Sequence, residues 1–81
     1  MNVRVLFFGP LTGITGTGTA DLTLTELATV QHLLQLLFEK WPALRAWDAH
    51  LLTAINLTYA PRTAPIPPGA EVAIMPPVQG G

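Results

Sequence analysis

The chain has 81 residues, no cysteine and a formal charge of −1. Those numbers fit one domain with a small core; they exclude disulfides, thiolate metal sites and the basic surface that nucleic-acid binding needs. Apolar residues make up 49% of the chain and charged ones 11%, well under the usual quarter or so, so part of the apolar surface is expected to lie against a partner. No apolar run approaches the roughly 20 residues of a membrane span, and the start lacks a charged-then-apolar signal pattern, which points to a cytoplasmic protein.

Residues 3–9 read as a first strand stopped by Pro10. Arg4 marks one side as accessible, so period 2 sends Val3, Val5 and Phe7 inward and leaves Leu6 and Phe8 outside with Arg4. Residues 11–19 are rich in Gly and Thr. No Gly-Lys-Ser/Thr follows, so the stretch is read as a mobile connection with one helical turn, not a phosphate loop. Residues 20–25 alternate, with Leu22 and Leu24 inward and Asp21, Thr23 and Thr25 outward, which predicts a hairpin with the first strand.

Thr29 is an N-cap candidate for a helix over residues 30–41. Val30, Leu33, Leu34, Leu37, Phe38 and Trp41 form one apolar stripe at helical period, with Gln31, His32, Gln35 and Glu39 opposite and Leu36 apart from it. Pro42 ends the helix by forcing Trp41 out of the α region. Residues 43–50 suggest a further short helical turn around Trp47. Residues 51–57 are a third strand whose facing parity does not assign, with Asn56 as a turn or hydrogen-bonding residue. Residues 59–69 are proline-rich and predict loop, with at most a short edge strand near Ile66. Glu71–Met75 is a final strand. One helix therefore covers one face of a sheet in the order β-β-α-β-(short β)-β.

Candidates for catalysis are few. Ser and Cys are both absent, which removes the usual nucleophilic triads. Asp21, Glu26, Glu39, Asp48 and Glu71 are scattered, and His32 and His50 read as solvated side chains, so no metal site is predicted. The ending is more informative. Pro76 and Pro77 cannot donate to a ladder and stiffen the exit from the last strand. Gly80 and Gly81 follow, and two glycines there by chance have odds of roughly one in two hundred at average usage. A thin tail suits a carboxylate that must thread into another protein's active site. That carboxylate needs activation as an acyl-adenylate before a nucleophile can displace AMP.

Val5-Leu6-Phe7-Phe8, Ala54-Ile55-Asn56 and Pro68-Gly69-Ala70-Glu71-Val72-Ala73, running into Pro76-Pro77-Val78-Gln79-Gly80-Gly81, resemble the sulfur-carrier subunit of molybdopterin synthase. The resemblance covers essentially the whole chain. It departs at Gln79, where Ser or Thr is frequent, and in the Gly/Thr-rich segment. It implies an α+β, β-grasp (ubiquitin-like) fold: a mixed sheet of four to five strands, first and last parallel neighbours, with a domain over residues 1–75 and a tail over 76–81. It also implies that Gly81 is adenylated by an E1-like enzyme using ATP and becomes a 1-thioglycine with sulfur from a donor protein. Gly80 would permit passage into the large subunit, where the sulfur meets a cyclic pyranopterin within a heterotetramer, and no cofactor would be bound.

Leu6, Phe8, Met75 and Tyr59 are expected to form an outer apolar patch that, with Pro76, Pro77 and Val78, binds the large subunit; the alternative is a second small core under the long loop. Three other roles fit the residues: a sulfur carrier for thiamin synthesis, a ubiquitin-like modifier joined through Gly81, and an interaction module without tail chemistry.

Overall fold

The computed structural model describes residues 1–77. Strands β1 (Asn2–Phe7), β2 (Thr19–Thr23), β3 (Leu52–Ile55), β4 (Thr58–Tyr59) and β5 (Glu71–Met75) form one sheet in the order β2-β1-β5-β3-β4. Its centre is the parallel pair of β1 and β5, with Val5 opposite Val72 and Phe7 opposite Ile74. The remaining pairs are antiparallel, so the sheet is mixed. This is the expected α+β arrangement, with first and last strands side by side.

The main helix, α2 (Val30–Lys40), lies on one face. Val30, Leu33, Leu34, Leu37 and Phe38 are buried along its stripe and join Val3, Val5, Phe7, Leu24, Val72 and Ile74 in one core. Leu22 is half-buried and packs at the margin of that core. The helix begins with a capping box. Thr29 Oγ1 accepts from the His32 amide at 3.3 Å, and the Thr29 amide donates to His32 Nδ1 at 3.0 Å. His32 is therefore a capping residue as well as an exposed one.

Several boundaries differ from expectation. Helix α2 stops at Lys40, one residue early, because Trp41 before Pro42 takes φ −130° and ψ 83°. The Trp41 ring instead meets Phe7 edge-on at 5.4 Å. Residues Pro42–His50 form a continuous 3₁₀ segment, longer than the single turn predicted, anchored by fully buried Leu44. Strand β1 ends at Phe7, and β2 ends at Thr23.

The Gly/Thr-rich connection holds a short helix, α1 (Leu11–Thr15), whose Leu11 is fully buried. Its threonines bond locally: Thr12 Oγ1 to the Gly9 carbonyl at 2.9 Å, Thr15 Oγ1 to that of Thr17 at 2.7 Å, and Thr17 Oγ1 to that of Thr19 at 2.9 Å. The helical turn expected here is present, and local threonine bonds tie the rest of the connection into side-chain turns.

The short edge strand is Thr58–Tyr59, not a segment near Ile66. Asn56 and Leu57 have φ of 48° and 72°, the pattern of a two-residue type I′ turn, and β4 folds back on β3 there. Ile66 is buried under the end of the long loop, beside a single bridge between Thr29 and Pro65. Loop carbonyls of Arg62 and Ala64 accept from the Gln31 and Val30 amides at 2.9 and 3.0 Å, satisfying donors that a helix start leaves open. Arg62 also reaches Asp48 Oδ1 at 2.5 Å and Gln31 Oε1 at 3.3 Å, which ties the loop to the helical layer.

Candidate functional site

Register fixes the facing of every strand on the side away from α2, because directly opposed residues share a face. Leu6 lies opposite Ala73, Ala73 opposite Ala54, and Ala54 opposite Tyr59, so these four form one row across the sheet. Met75 opposes Leu52 in the next row, and the period carries Phe8 to the same side. Phe8 is 45% exposed and Tyr59 69%, whereas Leu6, Leu52, Ala73 and Met75 are half-buried. None of these six belongs to the core or packs against it. Among the described residues, then, this face is an apolar surface, and the second small core under the long loop does not form.

The polar part of the same face lies at its other end. Arg4 opposes both Asp21 and Glu71, and its Nε stands 3.2 Å from Asp21 Oδ1 in an exposed ion pair. Those three, with Asn2 and Thr23, line one open depression. The strands thus run from a charged margin to an apolar one.

At the apolar end β5 leaves the sheet. The Phe8 amide donates to the Ile74 carbonyl at 3.2 Å, one step beyond β1. Pro76 follows, half-buried, and then exposed Pro77. Lacking amide hydrogens, both prolines stop further ladder bonds. Of the predicted site residues, Leu6, Phe8, Tyr59 and Met75 share the outer face, and Pro76 and Pro77 continue from it. Val78, Gly80 and Gly81 lie outside the described residues. At the opposite end of β5, Asn56 fixes its start: its side-chain oxygen accepts from the Glu71 amide at 3.0 Å, and its own amide donates to the Glu71 carbonyl at 2.8 Å.

Sequence reasoning missed Leu52 and Ala54 on this face because the residue 51–57 segment carried no parity mark. A hairpin signal at Asn56-Leu57 would have set the register, but Leu hides a turn that usually shows glycine. Gly9, with φ 58° beside Pro76, was also missed. Among the described residues no group of three His, Asp or Glu side chains could hold a metal ion, and no helix is long and apolar enough to cross a membrane.

Residues 5–81 match the ThiS family. The molybdopterin synthase sulfur carrier subunit of Escherichia coli (strain K12) is 35% identical over 98% of this chain and 99% of its own length. Its counterpart in Arabidopsis thaliana is 30% identical over 100% of this chain and 84% of its own length. The solved structure of small archaeal modifier protein 1 from H. volcanii aligns with a TM-score of 0.85 at 26% identity, covering 95% of this chain and 98% of the other. The chain belongs to the ThiS family and is a ubiquitin-like, β-grasp relative of the molybdopterin synthase sulfur carriers.

Proposed function

We propose that the protein is a sulfur carrier whose C-terminal glycine delivers sulfur within a molybdopterin synthase. The observation that carries this reading is the placement of the apolar outer face beside the strand that runs into Pro76-Pro77-Val78-Gln79-Gly80-Gly81. Sequence relatives named as sulfur carrier subunits of that synthase support it. An E1-like enzyme joins the Gly81 carboxylate to the α-phosphate of ATP and releases pyrophosphate. Sulfide supplied by a donor protein attacks the acyl carbon, the C–S bond forming as the acyl–phosphate bond breaks; AMP leaves and a thiocarboxylate remains. Leu6, Phe8, Tyr59, Met75, Pro76, Pro77 and Val78 seat the carrier on the large subunit, while Gly80 keeps the approach narrow. The sulfur passes to a cyclic pyranopterin, water restores the carboxylate, and the catalytic side chains belong to the large subunit. Two copies of each subunit form the cytoplasmic assembly.

Incubation with ATP, the E1-like enzyme and the sulfur donor should exchange one terminal oxygen for sulfur, read by mass spectrometry on the C-terminal peptide. Deleting Gly81 should abolish pterin conversion while the domain stays folded. Adding one residue should do the same, since it moves the carboxyl by about 3.5 Å. Full activity of the deletion rejects the carrier. A second reading, a protein modifier joined to lysines through Gly81, is favoured by the likeness to the archaeal modifier protein. Activated chain that accumulates only in lysine conjugates would establish it instead.

A further inference from the structure

Gly9 follows the last residue of the apolar face on the β1 side, and Pro76 follows the last residue of β5. The two meet. A β-carbon built on Gly9 would stand 3.2 Å from Pro76 Cγ and 3.8 Å from its Cδ. The other four described glycines, Gly13, Gly16, Gly18 and Gly69, would meet nothing within 4 Å. Gly9 also has φ 58°, but so in kind do Gly16 and Gly69, both at 74°. A left-handed backbone alone therefore does not set Gly9 apart; the proline ring close to where its β-carbon would stand does.

The approach is held from both sides. The Phe8 amide bonds to the Ile74 carbonyl immediately before the contact. Immediately after it, the Leu11 and Thr12 amides bond to the Phe8 and Gly9 carbonyls at 3.2 Å, and buried Leu11 fixes α1 to the core. Gly9 thus sits on a short, doubly anchored turn and cannot yield easily, whereas Pro76 is the first residue past the ladder. If a side chain appeared at Gly9, Pro76 would be the group to move.

We propose that Gly9 is a positioning residue for the departing C-terminus: its bare α-carbon seats the Pro76 ring and so sets the direction in which the chain leaves β5. The purpose of that direction rests on the sulfur-carrier reading, because a terminal sulfur aimed at a fixed site tolerates little angular error. An offset of about 1 Å at the reacting atoms can cost roughly a hundredfold in rate.

The test uses the full chain, thiocarboxylated at Gly81 and paired with the large subunit. Gly9→Ala is compared with Gly16→Ala, which meets the same backbone strain in open space, and with Pro76→Ala and Gly9→Ala/Pro76→Ala, which remove Cγ and Cδ. Gly9→Asn replaces Gly9→Ala if the latter does not fold, since Asn tolerates the left-handed region and still carries a β-carbon. Gly9→Ala should displace the ¹³C resonances of Pro76 and Pro77 and lower kcat for sulfur transfer about tenfold or more with the large subunit saturating. Gly16→Ala should do neither. With Pro76→Ala already present, the alanine at Gly9 should cost less than twofold. Equal losses in both backgrounds, or unshifted proline resonances in Gly9→Ala, would overturn the proposal. If the unaltered chain transfers no sulfur, the carrier reading fails, and the proline resonances alone still decide whether Gly9 seats Pro76.

Discussion

Along β1 and β5 one backbone carries two unlike sets of side chains. Toward α2 stand Val3, Val5, Phe7, Val72 and Ile74, all buried. On the other side stand Arg4, Leu6 and Phe8 beside Glu71, Ala73 and Met75, exposed or half-buried. A single helix covers only one face of a five-stranded sheet, so burial cannot explain why the outer residues are apolar. Their placement is uneven: the charged trio Arg4, Asp21 and Glu71 lies where β1 and β5 begin, and the apolar residues gather where β5 ends. The inner face stabilises the domain; the outer one is apolar where the chain departs.

The largest test of that contrast lies inside. Leu34 is fully buried in the α2 stripe, so Leu34→Ala removes methyl groups and leaves a cavity. Chemical denaturation should show a loss of about 2–5 kcal/mol. A loss below 1 kcal/mol would mean that the helix is not the cover of the inner face.

The outer face should behave in the opposite way. Phe8→Asp places charge where the side chain already meets solvent and should leave unfolding free energy within about 0.5 kcal/mol of the parent, while Met75→Glu alters a half-buried side chain and should leave the domain folded. Each should weaken association with a large synthase subunit by about tenfold or more, equivalent to roughly 1.4 kcal/mol, measured by calorimetry. Unchanged affinity in both variants would remove the docking role and leave the outer apolar residues without one.

Much of the contrast is legible in sequence, and the reason is local. Arg4 in an alternating strand declares which neighbours face out, and Glu71 does the same for β5, with Val72 and Ile74 inward and Met75 on the side of Glu71. Helix α2 announces itself through Thr29, the stripe and Pro42. In residues 51–57 polarity misleads: Thr53 faces the core, buried with its hydroxyl donating to the Ala60 carbonyl at 2.7 Å, so it gives no outward mark and the facing of Leu52 and Ala54 is not legible. Proline density in residues 59–69 points to loop with at most a short edge strand near Ile66; the edge strand forms instead at Thr58–Tyr59, where the turn depends on backbone angles that Asn56 tolerates and Leu57 disguises. The Gly9–Pro76 approach joins residues 67 positions apart and left no local trace.

Leu57 offers the smallest effect and a sharper limit on the outer face. It is 93% exposed at φ 72°, in the second central position of the type I′ turn. An L-residue in the left-handed region costs roughly 1–2 kcal/mol, while glycine gives back about 0.5–1 through its freer unfolded chain. Leu57→Gly should therefore stabilise the domain by about 0.5 kcal/mol, since so exposed a side chain loses little contact. The turn follows Ile55, which opposes Val72, so it lies toward the start of β5 and away from Pro76. Association with the large subunit should stay unchanged. A destabilised variant would show that Leu57 packs on the sheet after all, and weakened association would extend the docking surface past Tyr59 to the hairpin tip.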